Sequence, residues 1–599
     1  MSSTPQEDVL VVGAGPTGLV VATELARRGI GVRIVDKAAT PTPIEQSRAL
    51  GVHAPTMEVF EKLGVAQTVL KMGYILSTVA LYGRHGRLLG KVSLDELDVP
   101  YPFILTIEQG KVERVLQDNL ARHGVEVERS VKLVALRQDS DGVVTTLQAT
   151  DGYEHEVAAR YVIGCDGAHS AVRLLSGAKW PEGPFLDRYA LADTRVAWQG
   201  EPLPGDQMHM FLRPAGLLII ARLPEEGLWR VIVSFPPRHP WNGDPTLAAV
   251  QQQVDLHPQV GARLYEPTWL SSYRNSFRMV DRLRLGRIFL AGDAAHVHSP
   301  VGAQGMNTGI QDAFNLGWKL ALRLQSVGGE PLLDSYHWER QPVIADLLRT
   351  TKAQELLMEA HQPLDAKTRD DLVSVATRLK VLRHPLQRKI ARSNTTYSGS
   401  PMVGEHEQTL RQNLEAAITG APYPCLSERR DFRRGPKAGA RAPDAHGLID
   451  VSGDGARRLH EIFAEDHRHQ LLVFCGAAAR TRRAAELDRL IREVRTGYGA
   501  LIRPLLVSTV PDESRDALLD MRGEVHDRYG ALYECLYLVR PDGYIAFRSQ
   551  PARQRPLEDF LRTAMGITQA RRTDPDTASV QSESVAGQSQ GGSNPLLGT

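Results

Sequence analysis

The residues best suited to chemistry begin with three glycines near the start of the chain. Gly13, Gly15 and Gly18 form a Gly-x-Gly-x-x-Gly motif that follows four apolar residues, 9–12. This pattern predicts a buried strand that turns into a helix whose free N–H groups and positive end face a pyrophosphate. Asp36 follows about twenty residues later, where an acid accepts hydrogen bonds from an adenosine ribose. The sequence therefore predicts a dinucleotide site, without deciding which dinucleotide it holds.

Two further segments place a glycine and an aspartate at the end of an apolar strand. The first is Cys165-Asp166-Gly167, and the second is Gly292-Asp293. Gly292 has no side chain to obstruct a close ligand, and Asp293 offers a carboxylate to a polyol hydroxyl. A loop over 300–306 leads into a helix predicted from about 307 to 324, whose first N–H groups suit negative charge on a ring carbonyl. A linear polyol favours the ribityl chain of FAD over the second ribose of a nicotinamide dinucleotide.

Several domains must position these motifs, because 599 residues exceed what one hydrophobic core supports. Strand-like pieces at 208–212, 216–223 and 228–235 are separated by proline and glycine, which predicts a mostly antiparallel sheet inserted into the cofactor domain. A Pro/Gly-rich joint at 434–443 precedes a smaller α/β domain, and a Ser/Gln/Gly-rich end predicts disorder. The predicted parts are a first FAD-binding part at 1–179, a substrate-binding sheet at 180–285, a second FAD-binding part with a helical region at 286–420, a last domain at 435–570 and a tail at 573–599.

Composition argues against several function classes. Lysine plus arginine number 71 and aspartate plus glutamate number 70, so the nearly neutral chain is not expected to bind nucleic acid. The four cysteines are far apart and form no CxxC pair, which argues against a disulfide framework and against a metal site. No stretch approaches the roughly 20 apolar residues that span a bilayer. We therefore expect a cytoplasmic protein without a membrane partner.

Together the three motifs resemble those of the class A FAD-dependent aromatic hydroxylases, the group of para-hydroxybenzoate hydroxylase and phenol hydroxylase. The resemblance covers about residues 1–420. Beyond it, the joint and an Arg-Pro-Asp-Gly hairpin are similar to those of phenol hydroxylase, the 3-hydroxyphenylpropionate hydroxylase type and polyketide hydroxylases. The resemblance implies an α/β fold with a Rossmann-like FAD-binding domain of the para-hydroxybenzoate hydroxylase type, an inserted antiparallel-sheet substrate domain and a C-terminal thioredoxin-like domain. Cys475 has no CxxC partner, so that last domain is expected to serve packing or dimer contacts rather than thiol chemistry.

The resemblance also implies how the motifs divide the cofactor. The glycine motif binds the ADP part, Asp166 serves both FAD and NAD(P)H, and Gly292-Asp293 hold the ribityl chain. Arg48 lies in a segment similar to the family's loop near the flavin, and the start of the later helix would stabilise negative charge at the flavin N1 and C2 carbonyl. The implied cofactor-binding residues are Gly13, Gly15, Gly18, Asp36, Lys37, Arg48, Gln109, Asp166, Gly292, Asp293, Pro300, Gly305, Met306 and Asn307.

The reaction that the resemblance implies has two halves. NADPH or NADH reduces FAD, and O2 then gives a flavin C4a-hydroperoxide that hydroxylates a phenolic or polyketide-like aromatic ring. No second glycine motif lies in a strand–turn–helix unit, so the nicotinamide is expected to visit without a domain of its own. The sequence does not decide between NADPH and NADH. An FAD-dependent oxidase or dehydrogenase of the same fold, a flavin-bound scaffold, and a homodimer all stay open.

Residues on the substrate side are harder to choose, because sequence gives no geometry. A base near the substrate hydroxyl would make a phenol more reactive. The catalytic candidates are Pro300, which would border the reactive face, His53, His209 and Tyr273, and the candidates for substrate contact are Tyr189, Arg213 and Arg222. Each of them could equally serve core packing or solvation. His296 and His298 are expected to be structural, and Asn315, Trp318 and Lys319 to be packing or surface residues.

Overall fold

The computed structural model describes most of the chain. Arg48, His298 and Pro300 lie outside the described residues, as do the side chain of Arg213 and the predicted tail at 573–599. The described residues are 6–44, 51–181, 185–213, 216–235, 245–297, 304–358, 363–391, 393–419, 423–450, 455–476, 484–511 and 517–567. Among them, no helix combines the length and the apolar character that crossing a membrane requires.

The elements fall into three stretches of the chain. The first contains β1 (Gln6–Val12), α1 (Pro16–Ala26), β2 (Val32–Asp36), α2 (Ala54–Lys62), α3 (Ala66–Met72), β3 (Tyr74–Leu76), β4 (Thr78–Tyr82), β5 (Leu88–Ser93), β6 (Ile104–Thr106), α4 (Gln109–Arg122), β7 (Val127–Arg129), β8 (Lys132–Gln138), β9 (Val143–Gln148), β10 (Glu154–Gly164) and α5 (Ala171–Leu175). The second contains β11 (Phe185–Trp198), β12 (Gln207–Arg213), β13 (Gly216–Arg222), β14 (Leu228–Phe235), α6 (Leu247–Asp255), β15 (Ala262–Ser276), β16 (Arg278–Met279), β17 (Arg284–Leu285), β18 (Ile288–Leu290), β19 (His296–Val297), α7 (Gly305–Leu324), α8 (Glu330–Met358), α9 (Pro363–Arg378) and α10 (Lys380–Ile390). The third contains β20 (Gly404–Glu407), α11 (Leu410–Thr419), α12 (Leu426–Arg434), β21 (Leu448–Asp450), β22 (Ala456–Arg457), α13 (Leu459–Ala464), β23 (His469–Phe474), α14 (Ala484–Tyr498), β24 (Ile502–Ser508), β25 (Ala517–Leu519), α15 (Glu524–Tyr529), β26 (Cys535–Val539), β27 (Ile545–Gln550) and α16 (Gln554–Met565).

The sheet that carries the glycine motif has β1 in its interior. Its strand order is β17-β18-β10-β1-β2-β7, with β9 paired to β10 and β8 to β9. β1 runs parallel to β10 and β2, and β10 runs parallel to β18. Strands of a parallel sheet are covered on both faces, which explains the continuous apolar run in β1. Because the carboxyl ends of parallel strands meet at one edge, the three motifs and Asp36 all follow strands that end there.

The second sheet has the order β15-β11-β14-β13-β12-β4-β5 and is antiparallel apart from the β12–β4 pair. Its strands β12, β13 and β14 begin and end within one residue of the predicted pieces. Strands β4 and β5 come from residues 78–93, however, which the sequence assigned to the first FAD-binding part. Long-range pairing therefore mixes segments that a boundary at 180 would separate.

The C-terminal sheet contains a thioredoxin-like unit. β23 and β24 are parallel and flank α14, β26 runs antiparallel to β23, and β27 forms a hairpin with β26. β20 pairs with β27, so this sheet takes a strand from residues that precede the joint at 434–443. The domain boundaries themselves stay predictions, while the α/β fold class is confirmed.

Candidate cofactor cleft and substrate-facing sheet

The three glycines of the first motif have different surroundings. Gly13 has φ +103°, and a Cβ there would lie 2.4 Å from the carbonyl oxygen of Cys165. A Cβ at Gly18 would lie 1.9 Å from the carbonyl oxygen of Gly13. At Gly15, by contrast, nothing lies within 4 Å of an added Cβ. Packing therefore requires the first and third glycines, while Gly15 leaves open space at the start of α1, where a phosphate can approach the backbone.

Asp36 ties the end of β2 to the glycine motif. Its Oδ2 accepts a hydrogen bond from the backbone N–H of Ala14 at 2.7 Å, and its Oδ1 accepts one from Ala38 at 2.8 Å. The Arg129 guanidinium lies 4.0 Å from Oδ2. The side chain keeps 17% of its surface exposed, and a carboxylate has lone pairs beyond these two bonds. Asp36 is thus held in place and still able to accept from a ribose hydroxyl.

A cleft of about 540 Å³ opens beside these residues. Five chain segments that are distant in sequence contribute to it, which brings together many of the predicted cofactor residues. Its lining includes Gly13, Gly15, Asp36, Lys37, Gln109, Glu113, Arg129, Asp166, Gly167 and His169. Gln109 donates from Nε2 to Oε1 of Glu113 at 2.8 Å, so its carboxamide is oriented within the cleft wall.

Asp166 has a structural task beside its place in the cleft. Its carboxylate accepts hydrogen bonds from the Ser170 hydroxyl at 2.5 Å and from the N–H groups of Ala171 and Val172 at 2.6 and 3.1 Å. Burial raises the pKa of Asp166, and these hydrogen bonds offset the rise only in part. The side chain therefore fastens the first turn of α5 to the end of β10, and its remaining capacity faces the cleft.

The turn at Gly292 packs against the first turn of α1. Gly292 has φ +60°, and a Cβ there would lie 2.7 Å from Oγ1 of Thr17. A Cβ at Gly309 in α7 would lie 2.4 Å from the same oxygen. Only glycines allow this approach, and it places the start of α7 beside the start of α1. Sequence analysis missed the contact between Thr17 and Gly309. The available signal was a glycine inside a long helix, because glycine weakens a helix and its presence there indicates close packing.

A buried aspartate, also missed, holds the Gly292 turn. Asp312 in α7 accepts hydrogen bonds from the N–H of Gly292 at 3.2 Å, from Nε2 of His296 at 2.7 Å and from Nε of Arg340 at 2.7 Å. Burial would raise the pKa of Asp312, but the Arg340 and His296 contacts outweigh it and lower the pKa. His296 is fully buried in this arrangement, which matches the structural role predicted for it. Asp293, in the same turn, is exposed.

Asn307 connects the start of α7 to the chain before α2. Its Oδ1 accepts from the backbone N–H of His53 at 2.9 Å, and its Nδ2 donates to the carbonyl of Gly51 at 2.9 Å. The side-chain amide of Asn307 thus serves as a tether, and its predicted contact with a flavin stays a prediction. No side chain among the described residues caps α7, so the backbone N–H groups from Gly305 and Met306 onward are its groups for negative charge.

The base and substrate candidates on the second sheet divide between its two faces. Tyr189 and Tyr273 stack with ring centroids 5.7 Å apart and planes at 5°, and they share a core with Leu76 and Ile104 next to the cofactor domain. His209 is fully buried, with Nδ1 3.2 Å from the Tyr82 hydroxyl and Nε2 2.9 Å from the Pro204 carbonyl.

His209 lies on the other face of this sheet. Alternate residues of a strand point to opposite faces, and the neighbours of His209, Tyr82 and Phe211, belong to the core beneath α6. Burial lowers the pKa of the His209 imidazole. The structure therefore separates His209 from Tyr189 and Tyr273 and removes the geometric basis for predicting it as the base.

The second sheet also carries Arg222 and a buried ion pair that the sequence did not predict. The Arg222 guanidinium lies 4.8 Å from the ring centroid of Tyr74. Arg230 donates from Nε and Nη2 to both carboxylate oxygens of Asp193, at 2.7 and 2.6 Å, and both side chains are buried. Asp193 lies two residues after Leu191 on β11, so this pair shares the face of Tyr189. Sequence analysis missed the pair, because its members are 37 residues apart and meet only through strand pairing.

The cleft and the Gly292 turn together define a flavoprotein of the para-hydroxybenzoate hydroxylase type of fold. The open space at Gly15 and the close approach at Thr17 fit a dinucleotide that runs from the first motif to the start of α7. Residues 6–351 match the model of the FAD binding domain family. The chain belongs to that family.

Two relatives of this chain are monooxygenases. The chain is 36% identical to rifampicin monooxygenase of Streptomyces venezuelae over 433 residues, which are 71% of this chain and 86% of the relative. It is 32% identical to pentachlorophenol 4-monooxygenase of Sphingobium chlorophenolicum over 555 residues, 90% of this chain and 93% of the relative. The structure of the anhydrotetracycline hydroxylase OxyS from Streptomyces rimosus matches with a TM-score of 0.70 at 28% identity, covering 94% of this chain and all of the other. The chain is an FAD-dependent monooxygenase that takes electrons from a reduced nicotinamide, which confirms the predicted cofactor and enzyme class.

Proposed function

We propose that this enzyme hydroxylates a phenolic or polyketide-like aromatic compound on the sheet face that carries Tyr189 and Tyr273. The observation that carries the proposal is the position of this stacked pair, on the face that packs toward the cofactor domain rather than beneath α6. Aromatic side chains offer a flat apolar surface against which another ring packs favourably. Substrate and cofactor would then meet between the two sheets.

In this proposal the chain's own groups bind and orient. The N–H groups at the start of α1 take the pyrophosphate, Asp36 takes the ribose, and the Gly292 turn with Asp293 takes the ribityl chain. The backbone N–H groups at the start of α7 face the ring carbonyl. When bound, FAD would supply the redox chemistry, in which two electrons from NADPH or NADH and two from the substrate reduce O2, one oxygen atom entering the substrate and the other leaving as water. Asn307 keeps the chain at 51–53 closed over the start of α7, which helps to exclude water.

The charges on this sheet face favour a substrate without a carboxylate. Arg230 is a buried cation on this face, and Asp193 already engages its guanidinium in a two-pronged ion pair. A buried guanidinium engaged in this way has little to gain from binding a second carboxylate. The names of the relatives, which refer to rifampicin, pentachlorophenol and anhydrotetracycline, support the range from phenols to multi-ring compounds.

A substrate panel under isotopically labelled O2 tests the proposal. We expect a phenol or multi-ring polyketide to accelerate NADPH or NADH oxidation and to gain one labelled oxygen atom, detected by mass spectrometry. Peroxide release, measured in parallel, identifies compounds that trigger reduction without being hydroxylated. Product formed without the label would reject the proposed hydroxylation by O2. No turnover with any phenol or multi-ring aromatic compound would reject the proposed substrate class.

We also propose a cytoplasmic homodimer. No disulfide joins the four cysteines, all of which lie among the described residues, which suits a reducing compartment. Leu379 and Val381 near the start of α10 are 54% and 84% exposed, and apolar groups of this kind are common where copies associate. Light scattering of the purified protein measures its mass directly, and a monomer at micromolar concentration would reject the dimer.

A further inference from the structure

A run of buried charged groups leads from the C-terminal domain to the cofactor domain. Arg540 lies in the turn between β26 and β27, and its Nη1 and Nη2 donate to the two carboxylate oxygens of Glu339 in α8 at 2.6 and 2.8 Å. Lys319 of α7 donates to the same carboxylate at 2.7 Å. All three side chains are buried, so of the two roles expected for Lys319, packing or surface, the structure shows the buried one.

The next residue of α8 continues the run. Arg340 donates from Nε to Asp312 at 2.7 Å and from Nη1 to the hydroxyl of Tyr397 at 3.0 Å. The ring of Tyr397 packs on Tyr544, the residue before β27, at 4.3 Å, and the Arg540 guanidinium lies 5.1 Å from the centre of the Tyr397 ring. The C-terminal hairpin thus packs on Tyr397, whose hydroxyl accepts from Arg340.

Asp312 connects this run to the Gly292 turn through the N–H of Gly292 and through His296. The charged groups along the path are hydrogen-bonded to one another and to neighbours that include Asp542, Asn315 and the carbonyl of Thr308. Removing one member leaves a desolvated charge without its partner, so such a network is stable only when it is complete. The conformation of the Gly292 turn therefore depends on the docking of the C-terminal hairpin.

We propose that Arg540 and Glu339 are positioning residues for FAD: acting through Arg340 and Asp312, they hold the Gly292 turn in the conformation that receives the cofactor. The C-terminal domain then has a task although it carries no CxxC pair. The inference rests on the proposed placement of the ribityl chain at Gly292. It concerns binding of the cofactor and does not depend on which substrate is hydroxylated.

The test measures the dissociation constant of FAD for full-length apo-protein by titration. Arg540→Lys keeps the positive charge but loses the planar fork, and we expect it to raise the constant by about tenfold, within the usual range of coupling between sites. The matched control is Arg548→Lys in the same domain. Arg548 is also buried and ion-paired, to Glu405 at 2.9 Å, but it contacts neither α7 nor α8 in the interactions described. The control should change the constant by less than about twofold.

A double-variant cycle tests the path itself. Asp312→Asn should weaken FAD binding at least as much as Arg540→Lys, and the combined variant should bind no worse than Asp312→Asn alone, because both act on one path. Additive losses would overturn the path. Equal weakening by the Arg548→Lys control at the same loss of Tm would show that general destabilisation of the domain is the cause.

Reciprocity provides a test that needs no variant. Since coupling is mutual, FAD binding to the wild-type protein must protect the distant hairpin at 535–550 from hydrogen–deuterium exchange, along with 288–297. Protection at 288–297 without any at 535–550 would overturn the inference, even if Arg540→Lys failed to fold. A wild-type protein that binds FAD, shows both protections and hydroxylates nothing would reject the proposed function and leave this inference standing.

Discussion

Gly15 and Gly18 lie three residues apart in one turn, yet a methyl group would meet opposite surroundings at the two positions. At Gly18 it would collide with the carbonyl oxygen of Gly13, whereas at Gly15 it would enter open space in the cleft. Gly15 also has φ −76°, which any residue adopts without strain. The fold therefore has no need of a glycine at 15, and the reason for one lies in what occupies the cleft.

Gly15→Ala should separate cofactor binding from folding. We expect the free energy of unfolding of the apo-protein to stay within about 1 kcal/mol of wild type, since alanine fits the backbone there. FAD affinity should fall by about tenfold, or ~1.4 kcal/mol, because the methyl group occupies space meant for the pyrophosphate. Gly18→Ala is the matched comparison and should lower the Tm of the apo-protein. Unchanged FAD affinity in Gly15→Ala would place the pyrophosphate elsewhere.

Residues whose role follows from a short local pattern were predictable from the sequence. Residues whose role depends on a partner far along the chain were not. The first motif and Asp36 follow from a strand, a turn and a helix within one short segment. Asp312 was missed because α7 is buried on nearly all sides, so an acid within it shows no periodicity that marks its partner. Arg340, which neutralises it, lies 28 residues away on another helix.

At the scale of elements, the second sheet presents two different surfaces to its neighbours. One carries Tyr189 and Tyr273 toward the cofactor domain, and the other carries Tyr82 and Phe211 beneath α6. The second pair is also stacked, at 4.5 Å and 13°. The two aromatic pairs are similar but lie on opposite faces, so substitutions in them compare a residue of the proposed substrate site with a residue of the core.

Replacing one tyrosine from each pair distinguishes the two faces. Tyr273→Leu should raise KM for an aromatic substrate by about threefold to tenfold, the equivalent of losing one aromatic contact worth ~0.5–1.5 kcal/mol. Tyr82 is a partly buried tyrosine on the far face. Tyr82→Leu should lower the free energy of unfolding by a similar ~0.5–1.5 kcal/mol and change KM by less than about twofold. Steady-state kinetics with the substrate found in the panel measure both. A larger effect from Tyr82→Leu would place the substrate beneath α6.

Helix α13 of the C-terminal domain contacts α2 through a histidine between two acids. Nε2 of His460 lies 3.3 Å from Glu58 and Nδ1 lies 2.6 Å from Glu61, so only the protonated ring donates to both. Burial lowers the pKa of His460, but the hydrogen bonds to Glu58 and Glu61 outweigh it and raise the pKa above 6.5. Glu58, whose pKa falls to about 2 despite its burial, stays ionised throughout.

Because the pKa of His460 is higher in the folded than in the unfolded protein, the sign of its effect on the pH dependence of stability follows. The contribution of His460 to stability should be complete below the unfolded value of 6.5 and should decline as the pH rises through the folded value. Denaturant unfolding of wild type and His460→Asn across this range measures the difference between them. His469 is the opposite case, because burial lowers its pKa to about 3. The difference between wild type and His469→Asn should therefore shrink as the pH falls below 6.5. A difference for His460→Asn that grows with pH would contradict the assignment.

For the whole molecule, the sequence predicted the architecture but not which distant segments of the chain contribute strands to each sheet. The short strands β12, β13 and β14 were predictable because prolines and glycines mark their ends. β4, β5 and β20 join sheets whose other strands lie far along the chain, and no local pattern records that pairing. The C-terminal domain is consequently interleaved with the rest of the molecule, through β20 and through the Arg540–Glu339 pair.

This interleaving predicts that the cofactor part cannot stand alone. A chain that ends at about residue 434 loses β27, the partner of β20, and leaves Glu339 without Arg540. Breaking a buried ion pair costs about 3–5 kcal/mol, a large share of the ~5–15 kcal/mol that stabilises a typical fold. We expect the truncated protein to be insoluble or to lack FAD, as judged by the soluble yield and the ratio of flavin to protein absorbance. A chain that ends at residue 572, which lacks only the Ser/Gln/Gly-rich tail, should match wild type in both. A truncated protein that stays folded, retains FAD and turns over normally would show that the cofactor part is independent of the C-terminal domain.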